Sequence, residues 1–127
     1  MKKIICLLAL FAFIYTGNAQ SYQAKIGDTT ITNAGTPSFI ATVAGSKSNV
    51  TFGYNITKTS GTVAGTIVLY GSVDGTNYAA IDTTTLTDAT AIRSVSYNYN
   101  GYAKYKVTVN QTGTSVANYK IWLLYRK

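Results

Sequence analysis

The sequence contains no histidine and no glutamate, and its four acidic residues are all aspartates. Without histidine, the usual proton shuttle near neutral pH is absent, and so is the base of Ser–His and Cys–His catalysis. Hydrolysis by paired carboxylates would need two of Asp28, Asp74, Asp82 and Asp88, and nothing in the sequence places two of them together. There is also no phosphate-binding loop and no dinucleotide glycine pattern. We therefore predict that the protein is not an enzyme and takes no cofactor.

The scarcity of metal-binding side chains argues against a metal site. Calcium needs several oxygen ligands with clustered carboxylates, and only Asp82 and Asp88 flank a common loop, the threonine-rich "TTTLT". Such a pair would make a weak site. The single cysteine, Cys6, lies in an apolar run near the N-terminus, so the rest of the chain has no thiolate ligand. We expect no metal.

The first nineteen residues have the layout of a secretory signal peptide. Lys2 and Lys3 precede the twelve-residue apolar run Ile4–Tyr15, and small residues follow at Gly17 and Ala19. Twelve residues are too few to span a bilayer, which takes about 20. We predict cleavage after Ala19 and export, with no membrane span afterwards. A retained anchor or a buried hydrophobic segment is the alternative.

Residues 20–127 have the length of one domain and the composition of a β protein. They contain one proline and no cysteine, while threonine and tyrosine, which favour strands, are abundant. Apolar and polar residues alternate in "NVTFGYNITK". Seven more segments read as strands: "TTIT", "SFIATVAG", "TIVLYGS", "NYAAID", "IRSVSYN", "YAKYKVTVN" and "ANYKIWLLYR". Such spacing is typical of a sandwich or a small barrel, and we predict a single antiparallel β-sandwich, Ig-like or jelly-roll-like, of about eight strands.

The stretch "GSVDGTNY" predicts a tight turn between two of these strands. A three-residue loop at Val73–Gly75 would place Gly75 in the left-handed region and let Asp74 bond to nearby backbone. In that register Tyr70 faces Tyr78. The alternative is a ligand loop built on Asp74.

A second turn is predicted where "YNYNGYAK" joins two strands. A three-residue loop ending in Asn100 and Gly101 would place Gly101 in the left-handed position of a bulged hairpin. That register pairs Tyr105 with Val95 and keeps apolar residues on one face.

The last two strands predict an interaction surface, provided that they form a hairpin. With a five-residue loop at Gln111–Ser115, Val109 faces Ala117 and a continuous apolar face is buried. The opposite face then carries Tyr102, Lys104, Lys106, Lys120 and Trp122. Because Trp and Tyr are enriched at interfaces, we expect a neighbouring subunit, the N-terminal segment or a ligand to cover this surface.

The positive net charge does not by itself indicate nucleic-acid binding. The formal net charge is +7, and it falls to +5 when Lys2 and Lys3 leave with the signal peptide. In "YAKYK", alternation puts Tyr105 on the opposite side from Lys104 and Lys106, so no single platform of aromatic and basic residues forms. We predict no nucleic-acid partner, and at most attraction to an anionic partner or surface polysaccharide.

The second half of the chain resembles a known group of proteins. "GTIVLYGSVDGTNYAAID" resembles the strand–GS-x-DG-x-N-[YFW]–strand hairpin of small β-sandwich accessory modules in bacteriophage virions, which serve as tail, fibre or head-decoration proteins. "YNYNGYAKYKVTVNQTGT" and "YKIWLLYRK" are similar to the stretches that follow it there. The hairpin also has a weaker similarity to discoidin-like carbohydrate-binding modules. A signal peptide departs from the phage pattern, since virion proteins assembled in the cytoplasm rarely need one.

The resemblance covers residues 65–127 and implies a non-catalytic structural or adhesive role. One hypothesis is a subunit that assembles with itself, as a homo-oligomer, or with a larger protein. It would be found in a virion if phage-encoded, and otherwise secreted, at the cell surface or in the periplasm. The other hypothesis is a secreted or cell-surface module that binds a glycan through exposed tyrosines or Trp122.

Overall fold

The computed structural model describes residues 21–42, 49–89, 91–97 and 101–126. The predicted signal peptide and Asn100 lie outside these residues, so both remain predictions. Within the described ranges the chain forms strands and no helix. No helix there has the length and apolar character needed to cross a membrane. The strands are β1 (Ser21–Thr32), β2 (Ser38–Thr42), β3 (Asn49–Gly61), β4 (Gly65–Ser72), β5 (Ala79–Leu86), β6 (Ala91–Tyr97), β7 (Lys104–Gln111) and β8 (Ser115–Arg126).

The strands form two antiparallel sheets of four strands each, packed face to face. Their orders are β1-β8-β3-β6 and β2-β7-β4-β5. The chain passes from one sheet to the other at every connection except the one between β4 and β5. This is the order of a jelly roll, an eight-stranded sandwich that handles sheet edges by double-sheet packing. The predicted all-β sandwich is confirmed, and of its two versions the jelly roll is the one observed.

The core lies between the sheets and follows the period-two pattern of the sequence. Because successive side chains of a strand point to opposite faces, every second residue of β3, β8, β4 and β7 is buried. The predicted inward face of β3 is confirmed. Core side chains from these four strands include Val50, Phe52, Tyr54, Ile56, Ile67, Leu69, Tyr105, Val107, Val109, Tyr119, Ile121 and Leu123.

A buried polar group ties the β1–β2 connection to this core. The Gln111 side chain is almost completely buried. Its amide Nε2 donates to the carbonyl oxygens of Asn33 and Ser115, and its Oε1 accepts from the Tyr119 hydroxyl at 2.5 Å. Since buried polar groups destabilise a fold unless they are hydrogen-bonded, these three bonds allow a glutamine in the interior.

The predicted hairpin between the last two strands is wrong. β7 pairs with β2 and β4, whereas β8 pairs with β1 and β3 in the other sheet. Val109 therefore does not face Ala117 across a ladder, although both are buried in the core. The reason is that alternation specifies which face of a strand is buried but not which strands lie beside it. The same residues are therefore buried whether or not β7 and β8 are partners.

The predicted bulged hairpin between β6 and β7 is also wrong. β6 pairs with β3, in the sheet that does not contain β7, so Tyr105 does not pair with Val95. The connection is a crossover between sheets and needs no tight turn. Accordingly, the φ of Gly101 is outside the left-handed region, and a Cβ added there would meet nothing within 4 Å.

Candidate binding cleft at one end of the sandwich

Several connections meet at one end of the sandwich. Lys104 at the start of β7 pairs with Thr42 at the end of β2 and with Ser72 at the end of β4. The end of β2, the end of β4 and the start of β7 therefore lie at the same end. A cleft of about 360 Å³ opens there, which we name the end cleft. It is lined by Gly71, Val73, Asp74, Asn77, Tyr78, Ala79 and Tyr102.

The β4–β5 turn forms one side of the end cleft, and it is wider than predicted. Gly75 has a φ of 78°, so its predicted left-handed conformation is confirmed. However, β4 ends at Ser72 and β5 begins only at Ala79, so the loop has more than three residues. Tyr70 pairs with Ala80 and not with Tyr78.

Hydrogen bonds to Asp74 explain the wider loop. Its Oδ1 accepts from the Ser72 hydroxyl at 2.9 Å and from the backbone N–H groups of Thr76 and Asn77 at 2.8 Å each. Its Oδ2 accepts from Asn77 Nδ2 at 2.6 Å. These bonds, led by the one from Thr76 N–H, hold the pKa of the carboxyl group well below its ordinary value of 3.8. The predicted role of Asp74 in organising the turn is confirmed, and the same carboxylate lines the end cleft.

Tyr102 also lines the end cleft, and packing holds its ring in place. The ring lies edge-on to the buried ring of Tyr105, with centroids 5.8 Å apart and planes at 68°. It also covers Gly71, since a Cβ added to that glycine would come within 2.5 Å of Tyr102 Cδ1. A glycine at this point of β4 is therefore what lets the tyrosine ring approach the sheet.

Tyr78 lines the end cleft and is held by a lysine. Lys106 Nζ lies 4.5 Å from the ring centroid of Tyr70 and 4.7 Å from that of Tyr78. Both distances are within the range of a cation–π interaction. Lys104 supports the same loop, because its Nζ donates to the Gly75 carbonyl oxygen at 3.2 Å.

The predicted interaction surface is divided between the two sheets. Tyr102, Lys104 and Lys106 lie together around the β4–β5 loop. Lys120 and Trp122 belong to β8, in the other sheet, so the single five-residue surface is wrong. The separation follows from the crossovers, which place β7 and β8 in different layers. Whether any of these residues contacts a partner stays a prediction.

Lys120 and Trp122 of β8 lie between β1 and β3. The neighbours of Lys120 across the ladder are Asp28 and Asn55. Lys25 forms an ion pair with Asp28, and that bond is the main cause of the lowered pKa of the Asp28 carboxyl group. Trp122 lies between Lys25 and Gly53. Asp28 thus places a negative charge beside both Lys25 and Lys120 on this face.

The remaining aspartates do not gather into a metal site. Asp88 Oδ1 accepts from Lys58 Nζ and from the backbone N–H of Val63, both at 2.9 Å. The bond from Lys58 is the main cause of the lowered pKa of Asp88. In the part of the chain that the structure describes, no three His, Cys, Asp or Glu side chains lie close enough to hold a metal ion together.

A second feature, the outer edge of β2, was not foreseen from the sequence. The strand order places β1, β2, β5 and β6 at sheet edges. β1 carries Lys25 and Asp28, β5 carries Asp82 and β6 carries Arg93, whereas β2, "SFIAT", carries no charge. Charges are one of the usual protections of a strand edge, and β2 is the one of these four strands without a charge, although its five residues also make it the shortest. The side chain of Ile40, at its centre, is 58% exposed.

Comparisons with known proteins identify the fold. No family model matches the sequence, and a search of curated proteins finds no match. VP2 of infectious bursal disease virus, in its subviral particle, matches with a TM-score of 0.57 and 11% identity, over 87% of this chain and 33% of that chain. YomS, an SPBc2 prophage-derived protein, matches with a TM-score of 0.55 and 12% identity, over 85% and 94%. CpGH89CBM32-5 of Clostridium perfringens, in complex with GalNAc-β-1,3-galactose, matches with a TM-score of 0.51 and 12% identity, over 83% and 95%. At these identities the likeness is one of fold.

Proposed function

We propose that this protein is an exported, non-catalytic structural subunit that assembles with a second copy of itself through the β2 edge. The observation that carries the proposal is an uncharged edge strand with an exposed isoleucine at its centre. β2 pairs with β7 on one side, and none of the described strands pairs with its other side. An edge of this kind is a template for pairing with another chain.

The geometry of β2 fits a two-fold contact between identical strands. In an antiparallel pairing centred on Ile40, Ile40 meets Ile40 of the second copy, and Phe39 meets Ala41. Phe39 and Ala41 pack against the core, so such a pairing extends the apolar layer across both subunits. A contact that uses the same patch on both copies closes as a dimer.

Neighbouring side chains on the outer face enlarge the contact. Ile40 lies beside Lys106, and Lys106 lies beside Tyr70, on the neighbouring strands β2, β7 and β4 of one sheet. Aromatic residues are enriched at protein interfaces, and the cation–π contacts of Lys106 keep its charged end over two rings. VP2, whose structure is that of a subviral particle, shares the fold, so assembly is compatible with this architecture.

The experiment is light scattering of the protein recovered after export from an expressing bacterium. We expect the mass of a dimer for the native chain and the mass of a monomer for Ile40→Lys, because two like charges would then face each other at the two-fold axis. Val73→Lys is the matched control, since Val73 is 70% exposed but lies on the β4–β5 loop. A native chain that is a strict monomer would contradict the proposal, and so would an Ile40→Lys protein that remains dimeric.

A second candidate function is a secreted or cell-surface module that binds carbohydrate. The end cleft favours it, because two tyrosine rings and an ionised carboxylate line one small depression. CpGH89CBM32-5, a fold neighbour, was crystallised with a disaccharide. A glycan array on which the protein binds nothing would count against this candidate.

A further inference from the structure

We propose that the end cleft binds one ring of a neutral sugar, with its carbon–hydrogen face against Tyr78 and a hydroxyl group donating to Asp74. This inference rests on the carbohydrate-binding candidate and does not depend on assembly through the β2 edge. The cleft lies at the end of the sandwich, whereas Ile40 lies at the centre of an edge strand. Each can therefore be tested without the other.

Both aromatic walls are already fixed before a ligand arrives. Tyr102 is held by the edge-on contact with Tyr105 and by its close approach to Gly71. Tyr78 is held by Lys106, whose Nζ is 4.7 Å from its ring centroid. Binding to groups that are already ordered costs little conformational entropy, and this favours weak ligands such as single sugars.

The carboxylate of Asp74 supplies a hydrogen-bond acceptor beside these rings. Its Oδ1 already accepts from three donors, while the single donor to Oδ2 in this turn is Asn77 Nδ2. A carboxylate oxygen has two lone pairs, so Oδ2 can accept a second bond. The turn also keeps the pKa of Asp74 low, and the group is therefore ionised at any physiological pH. Hydrogen bonds from a hydroxyl to an ionised acceptor are stronger than those between neutral groups.

These groups favour a neutral sugar over other small ligands. A pyranose has an apolar face for an aromatic ring and hydroxyl donors at its rim, which matches the rings and the carboxylate. A cleft of about 360 Å³ is at the small end of ligand sites, and this suits a terminal sugar or a branch.

The test begins with an array of neutral glycans. It continues with NMR titration using free glucose, galactose, mannose and N-acetylglucosamine. We expect binding to at least one neutral glycan and shift changes at the backbone amides of Thr76 and Asn77. Tyr78→Ala should weaken the affinity by about tenfold, from the loss of one aromatic contact. Tyr78→Phe should bind like the native protein.

The control is Trp122→Ala, which removes an aromatic side chain from the other sheet and should leave the affinity unchanged. Tyr102→Leu is a second variant of the end cleft, and its circular dichroism must match that of the native protein. Ile40→Lys should bind sugar normally even if it no longer dimerises, which separates this inference from the proposed assembly. No binding to any neutral glycan overturns the inference. So does full binding by a folded Tyr78→Ala protein, or loss of binding in Trp122→Ala.

Discussion

Substitution of Gly71 by alanine should both destabilise the sandwich and deform the end cleft. A Cβ at this position would lie 2.5 Å from Cδ1 and 2.7 Å from Cε1 of Tyr102, and 2.7 Å from Cδ1 of Ile81. Carbon atoms in contact normally lie about 3.5–4.0 Å apart, so at least one of these side chains must move by roughly an ångström. Ile81 can move its terminal methyl, but the Tyr102 ring is braced against Tyr105.

The expected loss of stability follows from the usual cost of one extra methyl group in a packed site. Overpacking of this kind costs about 1–3 kcal/mol. For a domain of this size, each kcal/mol lowers the melting temperature by about 4–8 °C, so we expect a decrease of about 5–20 °C. Since Tyr102 must yield, its ring also leaves its position in the end cleft, and any sugar affinity should fall with it.

Differential scanning calorimetry of Gly71→Ala beside Gly101→Ala provides the measurement. Gly101 is exposed, has no left-handed φ and would place its Cβ in open space, so its substitution should change stability by less than about 0.5 kcal/mol. The reasoning is refuted if the two variants have the same melting temperature. It is also refuted if Gly71→Ala is destabilised while the Tyr102 resonances keep their native shifts, because the cost would then arise elsewhere.

Two further predictions concern the hydrogen bonds of the fold. Tyr119→Phe removes the donor to the buried Oε1 of Gln111 and should lower the free energy of unfolding in urea by about 1–3 kcal/mol; an unchanged midpoint would show that Gln111 finds another partner. Asp74→Asn should destabilise the protein at neutral pH. Because the pKa of Asp74 is lower in the folded than in the unfolded state, its contribution is complete above about pH 4 and is lost as the pH falls towards the folded pKa. The stability difference between native protein and variant, measured by urea unfolding from pH 7 to acid, should therefore shrink below pH 4, and a difference independent of pH would contradict this assignment.

The strands and their buried faces could be predicted from the sequence, because both depend on local order. In β3, the alternation of Val50, Phe52, Tyr54 and Ile56 with polar residues is enough to identify the inward side. The left-handed Gly75 and the bonding of Asp74 are likewise properties of a few consecutive residues.

The neighbours of each strand could not be predicted in the same way. β7 and β8 follow one another closely, and a hairpin between them buries the same residues as the observed packing does. Only the strand order of the whole chain decides between the two, and that order depends on contacts between distant segments. The width of the β4–β5 loop was not predicted because Asn77 bonds to Asp74 through both its backbone N–H and its side chain, and these bonds keep Asn77 in the loop.

The candidate sites depend on this long-range order. Tyr78 and Tyr102 are separated by two strands in sequence, and they line one cleft because β4 and β7 are neighbours. Ile40 belongs to a segment that reads as an ordinary strand, and its exposure depends on β2 being at an edge. Trp122 was the most conspicuous surface aromatic in the sequence, but the end cleft lies elsewhere.

The order of the strands also has a consequence for how the chain reaches its native state. Among the described strands, β4 and β5 are the only pair consecutive in sequence that forms a hairpin. Their ladder, closed by the turn at Asp74, is therefore the one that a short stretch of nascent chain can form. By contrast, β1 pairs with β8, and that ladder cannot close until β8 has been synthesised. Folding dominated by such distant pairings is slow, on the scale of milliseconds to seconds. A polypeptide whose sequence predicts export thus has an incomplete fold until β8 is present.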